Sequence, residues 1–350
     1  MWRDVERLAA GERPPSPEAL AGGTGAWVGT AKLKLVDACN LRCFMCSYWK
    51  GKREGELSTD EVTRVLDELV ALGCRKVHFT GGEILMRRDL EVLAAHATAA
   101  GLRVNLTTNG TLADKARLKA LLRVPVRSIT LSLDGPTGAV HDAIRGRAGA
   151  FAKTLRTLDR ALDKRGRKTR VRVNTVVSRR NVRTLVGLGA LLRDRPVDGW
   201  LLLPLDVPDD HPDSLRAADI QAYTTRVAPV LEETLRIPGF DPWIFGRRPE
   251  DHAQASAGRF ARGLYEAQPC YAPWLHLLIG PTGDVYPCCN LHRRMTPLGN
   301  IRDAPLSEIW QDEPLRAFRQ QMWAERVADC HRCADFSAEN RALHAHLGPR

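Results

Sequence analysis

Between residues 30 and 205, short apolar runs alternate with longer amphipathic ones. The short runs are 32–36, 76–80, 103–107, 128–133, 171–177 and 200–203. Each looks apolar and buried, as parallel strands do. Helical periods fill the gaps. Ser58-Thr59-Asp60-Glu61 is a capping box, Val62, Val65, Leu66 and Leu69 mark one face, and Gly73 offers the stop. Further helices are expected from Asp89 to Gly101, over 113–122, over 151–164, and over 181–192 with Asn181 as N-cap. Strands interleaved with helices wind a parallel sheet in one hand. Six such units are too few for a closed eight-stranded barrel. The fold class is therefore α/β, a partial (β/α)6 barrel with its chemistry at the C-terminal strand ends.

Four segments follow from the pattern. Residues 1–30 form a leader, rich in Pro and Gly over 12–25, and 31–205 form the barrel. Residues 206–268 are a connection of Pro- and Asp-rich turns around one helix over 215–235. From Cys270 a hairpin (276–280, turn 281–284, 285–287) and short helices near 306–310 and 314–323 make a small α+β domain over 269–350.

Composition changes this picture little. Hydrophobic residues make up 44% and charged residues 27%, as in ordinary globular chains. There is no long uncharged apolar run and no secretory signal, so no membrane partner is expected and the cytoplasm is the default. The net charge of +11 comes from scattered basic residues with short knots at 164–172 and 179–183. That distribution reads as solvated surface, and nucleic acid is not the expected partner. An RNA-modifying enzyme stays as an alternative.

The nine cysteines change it a great deal. Cys74, alone beside Gly73, reads as a small buried residue. The other eight fall into two groups, and close-set cysteines in a reducing compartment point to metal or catalysis. Cys39, Cys43 and Cys46 follow the first strand as C-x3-C-x2-C. Three thiolates on one loop can wrap one face of an iron–sulfur cluster and leave one iron open. A structural zinc site needs a fourth ligand, and no histidine precedes His78.

This loop resembles that of the radical S-adenosylmethionine (SAM) superfamily, and the resemblance runs through the barrel. Gly81-Gly82-Glu83, after the second strand, is similar to the family's GGE motif, which implies a hold on the SAM amino group. Thr107-Thr108-Asn109-Gly110 and Ser132-Leu133-Asp134-Gly135 end the third and fourth strands. The resemblance implies that Ser132 and Arg145 hold the SAM carboxylate, that Asn174 meets the ribose or adenine, and that Asn109 lines the cofactor site. Met45 stands where the family carries an aromatic residue, with Phe44 and Tyr48 close by, which moves adenine stacking to Tyr48.

In the second group, Cys270 and Cys288 bracket the hairpin and Cys330-His331-Arg332-Cys333 completes a four-thiol set. Spacing alone suits zinc or a [4Fe–4S] cluster. The stretches 269–274, 283–289 and 298–301 resemble the C-terminal twitch and SPASM extensions of radical SAM enzymes. The shorter twitch form is the closer match, which implies one auxiliary [4Fe–4S] cluster on Cys270, Cys288, Cys330 and Cys333. Cys289 is left over: a packing thiol, a spare ligand, or a catalytic hydrogen donor to a substrate radical.

The implied cofactors are a SAM-binding [4Fe–4S] cluster, the auxiliary cluster and SAM, with an electron donor such as flavodoxin or ferredoxin as partner. Reductive SAM cleavage would give a 5′-deoxyadenosyl radical that abstracts hydrogen from the substrate. Only about thirty residues precede the first strand, too few for a peptide-recognition domain. The expected substrate is therefore a small polar metabolite of antibiotic or natural-product biosynthesis, of aminocyclitol, sugar or nucleoside type. The arginine surplus suits a carboxylate or phosphate on it. Dehydrogenation, epimerisation or decarboxylation would follow. A ribosomal-peptide maturase is the first alternative, and a zinc-binding scaffold without catalysis the last. Proton-transfer candidates by position are His141, Asp206, Asp209, Arg247 and Tyr265.

Overall fold

The computed structural model describes residues 16–25, 27–208, 210–261, 265, 269–325, 327, 330 and 333. The chain runs α1 (Pro17–Ala21), β1 (Thr30–Val36), α2 (Thr59–Ala71), β2 (Lys76–Gly81), α3 (Leu90–Ala99) and β3 (Arg103–Thr108). It continues with α4 (Lys115–Arg123), β4 (Ser128–Ser132), α5 (Gly138–Arg145), α6 (Ala150–Lys164), β5 (Arg170–Val177), α7 (Leu185–Arg193) and β6 (Trp200–Pro204). Beyond the barrel come α8 (Ala217–Ala222), α9 (Ala228–Thr234), α10 (Pro249–Ser256) and α11 (Ala272–Leu275). The last elements are β7 (His276–Ile279), β8 (Asp284–Tyr286), β9 (Gly299–Asn300), α12 (Leu306–Gln311) and α13 (Glu313–Ala324).

All six barrel strands form where the apolar runs predict them. The Ser58 capping box is present, with Glu61 N–H donating to Ser58 Oγ at 3.2 Å and Ser58 N–H to Glu61 Oε2 at 2.7 Å. Gly73 takes φ +85° to end α2. The hairpin does not stand apart from the barrel. One nine-stranded sheet runs β6-β5-β4-β3-β2-β1-β7-β8-β9, with β7 parallel to β1.

The strands differ from the expectation in one respect that matters. They are not apolar on both faces. Leu33, Phe79, Leu106, Ile129, Val171 and their like pack against the helices in the main core. The opposite face is polar, and register builds it in rows. Lys34 pairs with Thr80, Thr107 with Thr130, and Thr130 with Arg172. One row below, Lys32, His78, Asn105, Ser128 and Arg170 stand side by side. A parallel sheet buried on both faces would not tolerate this; an open polar face marks where a ligand goes.

Three smaller corrections concern helices. The single helix expected over 215–235 is broken by a π turn at Tyr223–Val227. Pro229 has no N–H to give back to the preceding turn, and the ladder slips by one residue there. Asn181 does not cap a helix. It is buried and ties two loops together, accepting from Ser178 N–H at 2.8 Å and donating to the Asp134 and Val176 carbonyls, each at 2.8 Å. Helix α5 was not anticipated, because Gly135-Pro136-Thr137-Gly138 reads as a turn.

Candidate active site

The first cysteine loop leaves β1 and is gripped from both sides. A Cβ on Gly82 would stand 1.9 Å from the Ala38 carbonyl oxygen, and Gly81 has φ +138°. Only glycines let the loop after β2 lie this close, where Glu83 N–H donates to Ala38 O at 2.9 Å. On the other side Gly146, at φ +64°, closes over Arg42, whose N–H donates to Arg145 O at 3.0 Å.

Within that grip Cys39, Met45 and Cys46 pack on a small knot of Leu41, Cys43 and Ala150. Polar hydrogens reach two of the sulfurs. Arg145 Nη1 lies 3.8 Å from Cys43 Sγ, and Asn109 Nδ2 and Leu41 N lie 3.8 and 3.5 Å from Cys39 Sγ. Burial pushes the Cys39 thiol up to about 11, and raises Cys43 against the pull of Arg145. Such thiols become thiolates when a metal takes the charge. The donor set, three thiols with N–H groups aimed at sulfur, fits an iron–sulfur cluster. The tighter gathering that a lone metal ion demands is not found among the described residues.

The other expected cofactor contacts separate into two kinds. Ser132, the last residue of β4, and Asn174, midway along β5, are register neighbours on the polar face. Four residues have other work. Glu83 is wholly buried; its carboxylate accepts from Thr108 Oγ1 (2.5 Å), Asn109 N–H (2.7 Å) and Leu85 N–H (2.9 Å). It straps the GGE loop to β3. Asn109 joins a network with Asn40 (2.9 Å) and Thr111 (2.7 Å) as well as Cys39. Arg145 pairs with the buried Asp134 at 2.7 Å. Tyr48 stacks on His292, with Arg293 4.3 Å and Lys34 5.2 Å from its ring centre. That position is at the seam with the C-terminal elements.

The proton-transfer candidates do not converge. His141 is buried, accepts from Asp134 N–H at 3.1 Å, and is held neutral by burial, its pKa near 3. Arg247 pairs with Glu232 on the surface, Asp206 pairs with Arg294 at 2.5 Å, and Tyr265 is buried. Asp209 lies outside the described residues.

Cys270, Cys288 and Cys330 all pack on a second core of Leu20, Tyr271, Trp274, Leu291, Phe318 and Met322, and Cys333 N–H donates to Cys330 O at 3.2 Å. Burial first, then Cys289 and Cys270, raises Cys288 well above the usual thiol range. This second group meets the first. Arg293 bridges to Asp37 and to Ser47 Oγ, and the Lys34 ammonium feels the negative potential of both Cys46 and Cys289. Sequence reasoning missed Lys34, although the Lys-Leu-Lys-Leu alternation in β1 displays it.

Residues 33–184 match the family model of the radical SAM superfamily, and residues 270–334 that of SPASM, an iron–sulfur cluster-binding domain. The chain is 32% identical over 317 residues to a PqqA peptide cyclase of Rhodopseudomonas palustris, covering 86% of this chain and 78% of that one.

This chain is a radical SAM enzyme.

It is also 31% identical over 321 residues to the mycofactocin maturase MftC of Mycobacterium ulcerans (87% and 80% covered). To the Fe-coproporphyrin III synthase of Methanosarcina barkeri it is 37% identical over 298 residues (79% and 72%). Its fold matches that of SuiB from Streptococcus suis bound to the precursor peptide SuiA, with TM-score 0.67 at 16% identity, over 92% of this chain and 74% of that one. Its cofactors are accordingly SAM and iron–sulfur clusters. The expected aminocyclitol, sugar or nucleoside substrate is overturned, because relatives aligned along most of the chain are a peptide cyclase and a maturase. Counting residues ahead of β1 was the wrong guide. No helix among the described residues is long and apolar enough to cross a membrane.

Proposed function

We propose that this radical SAM enzyme modifies a ribosomally made peptide. Likeness along 86% of the chain to a peptide cyclase carries that reading. In it, Cys39, Cys43 and Cys46 hold the SAM-cleaving cluster, and Cys270, Cys288, Cys330 and Cys333 hold the auxiliary one. When bound, the reduced cluster supplies the electron that splits SAM and so yields the radical that takes a hydrogen atom from substrate.

The chain's own residues do the rest. Asn109 and Arg145 donate to the Cys39 and Cys43 sulfurs and tune them. Gly81 and Gly82 bring main chain up to the SAM amino group, while Ser132 and Asn174 offer side chains for its carboxylate and ribose. Lys34, whose charged form both Cys46 and Cys289 favour, lies near both groups, and in this reading the two groups would share one substrate space. Cys289 is the candidate hydrogen donor to a substrate radical. The organisation would be a leader over 1–30, the barrel over 31–205, a connection over 206–268 and the auxiliary domain over 269–350. A flavodoxin or ferredoxin would deliver electrons in the cytoplasm.

A second reading, an iron–porphyrin substrate, is favoured by the 37% identity to the Fe-coproporphyrin III synthase. Anaerobically reconstituted enzyme decides between them: 5′-deoxyadenosine should form faster with precursor peptides than with Fe-coproporphyrin III. The reverse ranking installs the second reading. In the same assay a Cys39→Ala/Cys43→Ala/Cys46→Ala variant should lose SAM cleavage and about half its iron, keeping the auxiliary cluster's spectrum. A variant without any remaining iron–sulfur signal would refute the auxiliary cluster.

A further inference from the structure

The polar face of the sheet carries more positive charge than a cofactor site for SAM requires. Lys32 and Lys34 on β1, Lys76 on β2, Arg103 on β3, and Arg170 and Arg172 on β5 all occupy it. Among the described positions of β1 to β6 on this face none is an aspartate or glutamate, and Asp284, on the same face at β8, is engaged by Thr282 Oγ1 at 2.8 Å and Asn300 Nδ2 at 2.9 Å. The cations sense one another. Burial and Lys32 lower Lys34 to about 8, and Arg170 and Arg103 add to the depression of Arg127. His78, in the middle, is driven well below its usual range by burial and by Lys32, Lys76 and Lys34. Like charges gathered on one face repel, and the arrangement is relieved when anions arrive.

The charges also have a spacing. In the upper row, Lys34 and Arg172 stand at the two ends, with Thr80, Thr107 and Thr130 between them. In the row below, Lys32 and Arg170 repeat the pattern. The middle positions satisfy one another: His78 Nε2 meets Thr107 Oγ1 at 2.8 Å, and Ser128 Oγ donates to Asn105 at 2.7 Å. Five adjacent strands put the row ends roughly 19 Å apart along the sheet. One carboxylate cannot reach both. Arginine favours a forked carboxylate contact, and lysine a point contact.

We propose that the substrate peptide carries two acidic side chains, received separately at the β1 and β5 ends of this face. An extended peptide rises about 3.3 Å per residue, so about six residues of backbone cover that span, and the reach of the Lys, Arg and Glu side chains brings the acids to about four to six residues apart. The inference rests on the peptide reading and names its substrate class.

Binding to the reconstituted holoenzyme with SAM tests it. The probes are fluorescent twelve-residue Gly/Ser peptides with Glu at two positions four apart, with one Glu, and with Gln at both. The two-Glu peptide should bind at least tenfold more tightly than the Gln peptide, with the one-Glu peptide between. Lys34→Gln/Arg172→Gln should erase the difference, whereas Lys34→Arg/Arg172→Lys should keep most of it, which excludes a folding defect. Arg167→Gln/Lys168→Gln removes the same charge from an exposed turn and should change binding less than twofold.

Equal binding of the two-Glu and Gln peptides overturns the inference and leaves the peptide reading standing. Equal losses in the Lys34/Arg172 and Arg167/Lys168 variants also overturn it, since net charge would then be the cause. If Fe-coproporphyrin III binds through Lys34 and Arg172 while no peptide binds, the peptide reading fails and the carboxylate-receiving face survives.

Discussion

The two cysteine groups are built by opposite means. The first spans residues 39–46 of one loop and is held by hydrogen bonds from the elements around it: Asn109, after β3, to Cys39, Arg145, at the end of α5, to Cys43, and Glu83 N–H to Ala38 O. The second spans 270–333 and is held by packing. Its thiols lie on a core where Trp274 sits 6.2 Å from Tyr271 and 6.4 Å from Trp323. The buried Arg319 ties this core together, donating to the carbonyls of Pro273 (2.9 Å), Gly23 (3.1 Å) and Trp310 (2.8 Å). A local site tolerates a loosened core, and a dispersed one does not. Damage near the first group should appear as lost chemistry, and damage near the second as lost stability.

Arg319→Met is the strongest way to break this contrast. It leaves three buried carbonyls without their donor, a loss of roughly 3 kcal/mol. The thermal midpoint should fall by several degrees and auxiliary-cluster iron should be lost, while SAM cleavage by the folded fraction persists. An unchanged midpoint would mean that packing does not hold the second group.

Asn109→Ala comes next. Groups that orient metal ligands are worth about ten- to a hundredfold in affinity or activity. SAM cleavage should drop within that range, with a midpoint shift smaller than that of Arg319→Met. Parallel losses of stability and turnover would erase the distinction.

Glu61→Gln sharpens the comparison at the joint between the two regions, where Glu61 on α2 meets Arg302, just beyond β9, at 2.6 Å. The Arg302 hydrogen bond, then Ser58 N–H, holds the carboxyl near 2, below its ordinary 4.5. Its folded-state pKa is depressed, so its stabilisation is complete above pH 4.5 and disappears as pH falls toward 2. The pair is partly solvated, and the gain stays under about 1 kcal/mol. Acid titration of the melting midpoint should be flatter in the variant over that window alone.

Much of this was legible in the sequence, because barrel strands and α2 announce themselves through Val and Leu periodicity and through the Ser58–Glu61 cap. The cysteine loop was legible for the same local reason. What was not legible depends on partners far away in the chain. The strap that Glu83 makes shows only once Thr108 and Asn109 close on it, and Asn181 looks like a cap until Asp134 arrives. The contacts of Tyr48 with His292 and Arg293 join parts of the chain that no local pattern relates. The polar face needed register, since only pairing shows that Lys34 and Arg172 share a row. The substrate class lay beyond local pattern altogether, because a chain-length argument says nothing about what the barrel admits.

The parallel pairing of β7 with β1 has a consequence for biosynthesis. Thr30 and His276, joined at 2.9 Å, are 246 residues apart. At about 5–20 residues per second, β1 leaves the ribosome roughly 12–50 s before its second neighbour exists. Throughout that interval the nascent barrel carries an unshielded strand edge, a template for mispairing. Slowed translation or chaperone shortage should therefore reduce the yield of this protein more than that of a barrel completed in chain order.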